Sequence, residues 1–114
     1  MAAPFTVNVT PAMGEWNIVD AYSTDVSVTA QTLLADKTGH SYLVKNITVT
    51  MKDTDGRWFE ILDDAVLRIG PVRPYNRPWH VRYESQMRFD GAIKVLTEAD
   101  RQIHVTMCYR ILPA

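Results

Sequence analysis

The chain has 114 residues, of which 46% are hydrophobic and 22% charged, and its formal net charge is −1. These values are typical of one globular domain and exclude a chain that is disordered throughout. Nucleic-acid-binding domains are usually strongly basic, so the near-neutral charge makes a nucleic-acid partner unexpected. The single cysteine, Cys108, excludes an intrachain disulfide and a zinc site made of several cysteines.

The N-terminal residues 1–14 contain no basic segment followed by an apolar run, so we expect no secretory signal and synthesis in the cytoplasm. No apolar stretch approaches the ~20 residues of a membrane-spanning helix, and we expect no membrane partner. We predict that residues 1–14 are either an arm that adds a strand to a neighbouring molecule or the first strand of the fold. Phe5 and Val7 are the candidate interface residues of this segment, and residues 15–114 form the predicted domain.

Alternation of apolar and polar residues predicts β-strands along the whole chain, and no window has an apolar stripe with helical spacing. In chain order, the strands are expected near residues 5–9, 15–22, 26–34, 42–53, 57–62, 65–70, 79–84, 87–89, 92–97 and 102–111. About eight to ten short strands with turn signals between them indicate a single all-β domain, an antiparallel β-sandwich or a barrel.

Alternation also predicts which side chains face the core. In the last strand the inward set is Ile103, Val105, Met107, Tyr109 and Ile111, and in the strand at 42–53 it is Leu43, Ile47, Val49 and Met51. The pairs Asp55-Gly56 and Asp90-Gly91 predict two tight hairpins, because Asp-Gly readily supplies the positive φ angles of such turns.

Charge is distributed unevenly along the chain. Residues 53–64 are acidic and include Asp53, Asp55, Asp63 and Asp64, whereas residues 68–88 carry five arginines. The two blocks are expected to pair either within the fold or between neighbouring copies. Asp63 and Asp64 are adjacent, so on an extended chain they point to opposite faces and are interpreted as a turn rather than an acid–base pair.

The segment "VRPYNRPWHVRY" at residues 72–83 combines arginines with aromatic residues. Such a composition suits a protein interface. Alternation divides it into a proline-stiffened loop and a strand that begins near Trp79, which leaves Arg73, Arg77 and Tyr75 on the loop. We expect these three to contact acidic residues of a neighbouring copy or of another protein.

No arrangement of residues predicts catalysis or a cofactor. The histidines, at positions 40, 80 and 104, lack the spacing that places two ligands on one strand face. His104 and Cys108 share a face, but four extended residues separate them by roughly 13 Å, too far for a nucleophile–base pair. We therefore expect no enzyme activity, no metal and no cofactor.

From Trp16 onward the chain resembles a small jelly-roll family of structural proteins in tailed-phage virions. The segments that carry the resemblance are "YLVKNITVTM", "WFEILDDAVLRIGPV" and "AIKVLTEADRQIHVTMCYRI". The resemblance implies a jelly-roll sandwich and a homotrimeric capsid decoration (cement) protein, located in the virion, whose partners are copies of itself and the major capsid protein or another virion protein.

A second hypothesis belongs to another class of protein. The chain would be a tail-associated or receptor-binding module that recognises carbohydrate, with Trp79, Tyr75 and Tyr83 as a platform on which sugar rings stack. Nucleic-acid binding by the arginine loop is a more distant alternative.

Overall fold

A computed structural model describes residues 4–12, 14–26, 29–51, 58–74, 77–97 and 101–113; the side chains at positions 24, 25, 83–85 and 101 are not described. The described residues form nine strands and no helix, and they contain no helix that is long and apolar enough to span a membrane. The strands are β1 (Thr6–Pro11), β2 (Trp16–Val26), β3 (Gln31–Leu34), β4 (His40–Met51), β5 (Phe59–Asp63), β6 (Val66–Val72), β7 (Trp79–Phe89), β8 (Ile93–Thr97) and β9 (Arg101–Pro113).

The strands form two sheets, and within each sheet every pair of neighbouring strands is antiparallel. Sheet A has five strands in the order β1-β2-β9-β4-β7, and sheet B has four in the order β3-β8-β5-β6. One cluster of buried apolar side chains contains residues from both sheets, such as Ile47 and Val105 of sheet A and Phe59 and Val95 of sheet B. The core therefore lies between the sheets, and the predicted all-β antiparallel sandwich is confirmed.

The longest pairing joins β4 and β9, which run beside each other from His40 opposite Pro113 to Met51 opposite Ile103. The predicted alternation of β9 is confirmed. Four of its five predicted inward residues are buried, and the fifth, Ile111, is half-buried against the core. The central position of β9 explains this regularity, because a strand paired on both sides has little freedom to change which face is buried.

The predicted inward face of β4 is wrong at its first residue. Tyr42 and Val44 are buried, whereas Leu43 points away from the core. The pairing register shifts after Val44, and Lys45 is an extra residue in the strand. Such a β-bulge inverts the alternation. Odd-numbered residues such as Ile47 therefore face the core after the bulge, and even-numbered residues face it before the bulge.

The chain crosses between the sheets at points where the sequence predicted continuity. The predicted strand at 26–34 is wrong, because β2 ends in sheet A at Val26 and β3 begins in sheet B at Gln31. The predicted Asp90-Gly91 hairpin is also wrong, since β7 lies in sheet A and β8 in sheet B. Conversely, the segments predicted at 79–84 and 87–89 form one strand, β7, with an irregular register. The predicted Asp55-Gly56 hairpin lies outside the described residues.

Phe59 connects the two halves of the core. Its ring is fully buried in sheet B and meets the ring of Trp79 in sheet A edge to face, with centroids 5.4 Å apart. Trp79 thus points inward as its strand pattern predicted.

Replacement of Phe59 should therefore weaken the contact between the sheets. We expect Phe59→Ala to lower the free energy of unfolding by about 3–5 kcal/mol, because it leaves a cavity in the core. Val66→Ala is the control: its side chain is 62% exposed, and we expect a change within ~0.5 kcal/mol. Urea unfolding measures both, and equal midpoints would show that Phe59 does not support the core.

Candidate functional site

The arginine loop between β6 and β7 is only partly described. Arg73 and Arg77 are exposed, and the Arg77 backbone N–H donates to the Pro74 carbonyl at 3.2 Å. Pro74 is buried and anchors the segment. Tyr75 lies outside the described residues, as do Asp53 and Asp55 of the acidic block.

The acidic residues that are described, Asp63 and Asp64, lie at the hairpin between β5 and β6. Asp63 ends β5 opposite Val66, and Asp64 begins the two-residue turn with a φ of 55°. Aspartate tolerates this left-handed conformation better than most residues do. The interpretation as a turn is confirmed for Asp64, whereas Asp63 is the last residue of the strand.

Asp63 holds the crossover from β7 to β8 in place. Its carboxylate accepts hydrogen bonds from the backbone N–H of Asp90 at 3.0 Å and of Gly91 at 2.7 Å. Arg68 lies 3.4 Å from the same carboxylate and also donates to the Arg88 carbonyl at 2.7 Å. Only 15% of the Asp63 side chain is exposed. Asp63 therefore has a structural role within its own chain.

The neighbouring charges also pair within the chain. The Arg88 guanidinium donates to Asp90 at 2.8 Å and to the Ser41 hydroxyl at 3.1 Å, and Ser41 in turn donates to Asp90 at 2.9 Å. The hydrogen bonds from Arg88 and Ser41 lower the pKa of the Asp90 carboxyl. Asp64, 70% exposed, lies 3.4 Å from Lys94. In the part of the chain that is described, these acids have partners inside the fold.

β1 is the outermost strand of sheet A, and its inward side is only partly covered. Val7 lies opposite Ala21 and Val9 opposite Val19, so both valines are on the core side of the sheet. Yet Val7 is 37% exposed and Val9 is 47% exposed, while their two partners on β2 are fully buried. Sheet B therefore ends before β1. Phe5, just before the strand, is half-buried against the core.

The outer side of sheet A carries a polar cluster beside β1. Asp20 on β2 accepts hydrogen bonds from His104 and, at 3.2 Å, from Thr106, both on β9. Tyr22 meets the His104 ring edge to face, with centroids 6.4 Å apart. About half of the Asp20 and His104 side chains is exposed. The cluster thus presents an aromatic ring and a hydrogen-bonded acid–imidazole pair to solvent.

A shallow depression of about 260 Å³ adjoins this cluster and is open to solvent. Its walls are mostly apolar and come from Tyr22, Thr50, Met51, Gln102, Ile103 and His104. A ring-shaped ligand could rest there against Tyr22, because aromatic faces attract flat apolar surfaces.

Trp16 occupies the same outer side at the opposite end of β2. The Lys45 ammonium lies 4.4 Å from the centre of the ring, and the Arg110 guanidinium lies 5.8 Å from it. Both are cation–π distances. Lys45, the extra residue of the β4 bulge, therefore packs over the Trp16 ring.

The described residues contain no group of three or more His, Cys, Asp or Glu side chains that could hold a metal ion. His80 on β7 and His104 on β9 are separated by β4, and His80 bonds instead to Thr48 at 2.7 Å. Cys108 is a half-buried free thiol on β9.

Comparisons with protein-family models, with curated proteins and with solved structures find no match for this chain.

Sequence reasoning missed the cluster at Asp20 and the uncovered valines. Alternation placed His104 on a polar face, but its partner is 84 positions away in the sequence. No local pattern identifies such a partner, and none reveals where the opposite sheet ends.

The role of Asp63 can be tested against its neighbour. We expect Asp63→Asn to lower the free energy of unfolding by about 1–3 kcal/mol, because an amide has one acceptor oxygen for two backbone donors. In Asp64→Asn, asparagine also adopts the left-handed conformation of this turn, and only the surface ion pair with Lys94 is lost. We expect the free energy of unfolding to change by less than ~1 kcal/mol. Equal urea midpoints for the two variants would contradict this assignment.

Proposed function

We propose that the chain is a virion structural protein of the capsid-decoration kind, which docks through protein contacts at the β1–β2 end of sheet A. The observation that carries this proposal is the distribution of exposed apolar residues. Six large hydrophobic side chains are exposed among the described residues, and four of them, Val7, Val9, Ile18 and Tyr22, lie on β1 and β2. The two valines lie on the core side of sheet A, and Ile18 and Tyr22 lie on its outer side, so both faces of the sheet expose apolar surface at this end. Exposed apolar surface is typical of interaction sites.

The jelly-roll topology is part of the same proposal, and the strand pairing supports it. β2 pairs with β9, β3 with β8, β4 with β7 and β5 with β6. These pairs are nested, as in one long hairpin whose two arms are rolled up together. Four strands of the hairpin enter each sheet, which agrees with a double-sheet jelly roll of eight strands.

The charge pattern indicates which acidic surfaces the arginine loop can bind. Asp63 is committed within its own chain, so it is a poor partner for Arg73 or Arg77 of a neighbouring copy. Asp53 and Asp55 of the same block lie outside the described residues, so the proposed partner of the loop is either these acids of a neighbouring copy or an acidic surface of the major capsid protein or another virion protein. The trimer that the resemblance implies remains a prediction.

Co-sedimentation with empty heads of tailed phages tests the proposal. We expect the protein to pellet with its cognate heads, and Ile18→Glu to weaken this binding tenfold or more. Ile18 is 41% exposed on the outer side of β2, and a buried carboxylate there would have no partner.

Val66→Glu is the matched control for Ile18→Glu, since it places the same charge on exposed β6, and it should bind as the unchanged protein does. A protein that remains in the supernatant with every head in a broad panel would contradict the proposal.

The second candidate function, carbohydrate recognition, is favoured by the depression beside Tyr22. Its aromatic platform differs from the predicted one. Trp79 packs inward against Phe59, Tyr75 lies outside the described residues, and the side chain of Tyr83 is not described. Tyr22, His104 and Asp20 instead offer stacking and hydrogen bonds on one surface.

A glycan array separates the two functions. If the chain binds carbohydrate, Tyr22→Ala should abolish the array signal, because the stacking surface is lost, while Leu67→Ala on exposed β6 should retain it. A silent array with a protein that unfolds cooperatively would count against this second candidate.

A further inference from the structure

The first five of the six residues of β1 read the same in both directions: Thr6-Val7-Asn8-Val9-Thr10. We propose that β1 pairs antiparallel with β1 of a second copy, across a two-fold axis at Asn8, which joins two A sheets into one sheet of ten strands. The inference rests on the proposed function as a self-associating structural protein and deepens it by naming the partner of the β1 edge.

The palindrome gives this pairing its register. Centred on Asn8, the pairing sets Val7 against Val9 of the second copy, Thr6 against Thr10, and Asn8 against itself. A two-fold interface requires each residue to meet its counterpart reciprocally, and a palindromic strand satisfies this with identical pairs in both halves. A shift by two residues would set Val7 against Pro11, which has no N–H to donate.

The uncovered valines supply the apolar contact. Val7 and Val9 face the core side of sheet A beyond the end of sheet B. In the joined sheet, the two valines of each copy meet on this side and form a cluster of four. The valines of each copy then cover the valines that the sheet B of the other copy leaves exposed. Cross-strand pairs of β-branched residues are favourable.

β1 also lacks the features that protect other sheet edges. Strands at edges usually carry charges, prolines or bulges that prevent pairing with another chain. β1 has no charged residue, and Pro11 stands only at its end. All six of its residues are exposed, and β2 is the only strand paired with it in the part of the chain that is described.

The other edge strands in the described ranges differ from β1. β7 has an irregular register and a positive φ at Gln86. β6 contains Arg68 and Pro71, and β3 has only four residues. Among these edges, β1 is therefore the one suited to extend a sheet.

Charge does not oppose the pairing. The nearest acid, Asp20, lies opposite Asn8 on β2 and is hydrogen-bonded by His104 and Thr106 of its own chain. In the joined sheet, the two Asp20 residues are three strand spacings apart, about 14 Å. This exceeds the Debye length of ~8 Å at physiological ionic strength, so their repulsion is screened.

The contact area of the β1 pairing indicates how tightly the dimer should associate. A six-residue strand is about 20 Å long, and the contact it makes falls below the ~800 Å² per partner of a standard interface. We therefore expect a reversible dimer with a dissociation constant in the micromolar range. If the implied trimer also forms, the two contacts together give a hexamer or a larger even-numbered assembly, so the two-fold contact predicts even-numbered assemblies in either case.

A disulfide at the two-fold axis is the sharpest test, because only the central residue opposes itself. In a Cys108→Ser background, Asn8→Cys should form an intermolecular disulfide under mild oxidation, since opposed strand residues have Cα atoms ~5 Å apart. The matched control, Thr10→Cys, places the two cysteines roughly 13 Å apart and should not cross-link. Absence of the Asn8→Cys dimer, or equal cross-linking of both variants, would overturn the pairing.

Sedimentation over a range of concentrations provides an independent measurement without cysteines. We expect even-numbered masses for the unchanged chain, a dissociation constant at least tenfold higher for Val9→Lys, and no change for Val66→Lys. A monomer or a trimer at every concentration, or a Val9→Lys variant that associates normally, would overturn the inference. A protein that fails these tests but binds phage heads would contradict the β1 pairing and leave the proposed function intact. A β1 dimer that binds no head would support the pairing and contradict the proposed function.

Discussion

In the described part of the chain, five strands of sheet A face four strands of sheet B, and the proposed interaction surface follows from this constraint. Sheet B cannot cover all of sheet A, and the uncovered strand is β1, at the edge. Val7 and Val9 keep the inward orientation that their pairing with β2 imposes, although they stay 37% and 47% exposed in the part of the chain that is described. An apolar surface and an unpaired strand edge therefore coincide at one end of the sandwich. A single copy of the fold leaves this apolar surface exposed and this strand edge unpaired, and the proposed assembly rests on these two features.

The remainder of the sandwich is fixed by interactions that the chain satisfies internally. The β4–β9 ladder forms the centre of sheet A, and the Asp63 carboxylate ties the β5–β6 hairpin to the crossover between β7 and β8. The acidic and basic residues described around this crossover pair with each other. Among the described residues, these acids are therefore already paired within the chain.

The outer side of sheet A could serve either of the two proposed functions. Ile18 and Tyr22 lie on it beside β1, and the hydrogen-bonded pair of Asp20 and His104 provides polar contacts within the same area. A protein partner would cover the apolar residues and the polar pair together, whereas a sugar would use the depression at Tyr22. The two candidates thus differ at Ile18, which a protein partner would cover and which does not line the depression at Tyr22.

Alternation within the sequence determined the strands and, for β9, the buried face, because the side-chain period of two is a local property of extended backbone. It also identified Asp64 as a turn residue. It misassigned Leu43, because one extra residue at Lys45 inverts the faces of β4, and it missed the crossover between the sheets after Val26. The Asp-Gly pair at Asp90 likewise predicted a hairpin where the chain crosses between the sheets. Strand order, the partner of His104 and the exposure of the valines arise from contacts between segments far apart in the chain. Only the tertiary structure decided these, since a strand's own residues specify what it can bury but not which sheet lies opposite.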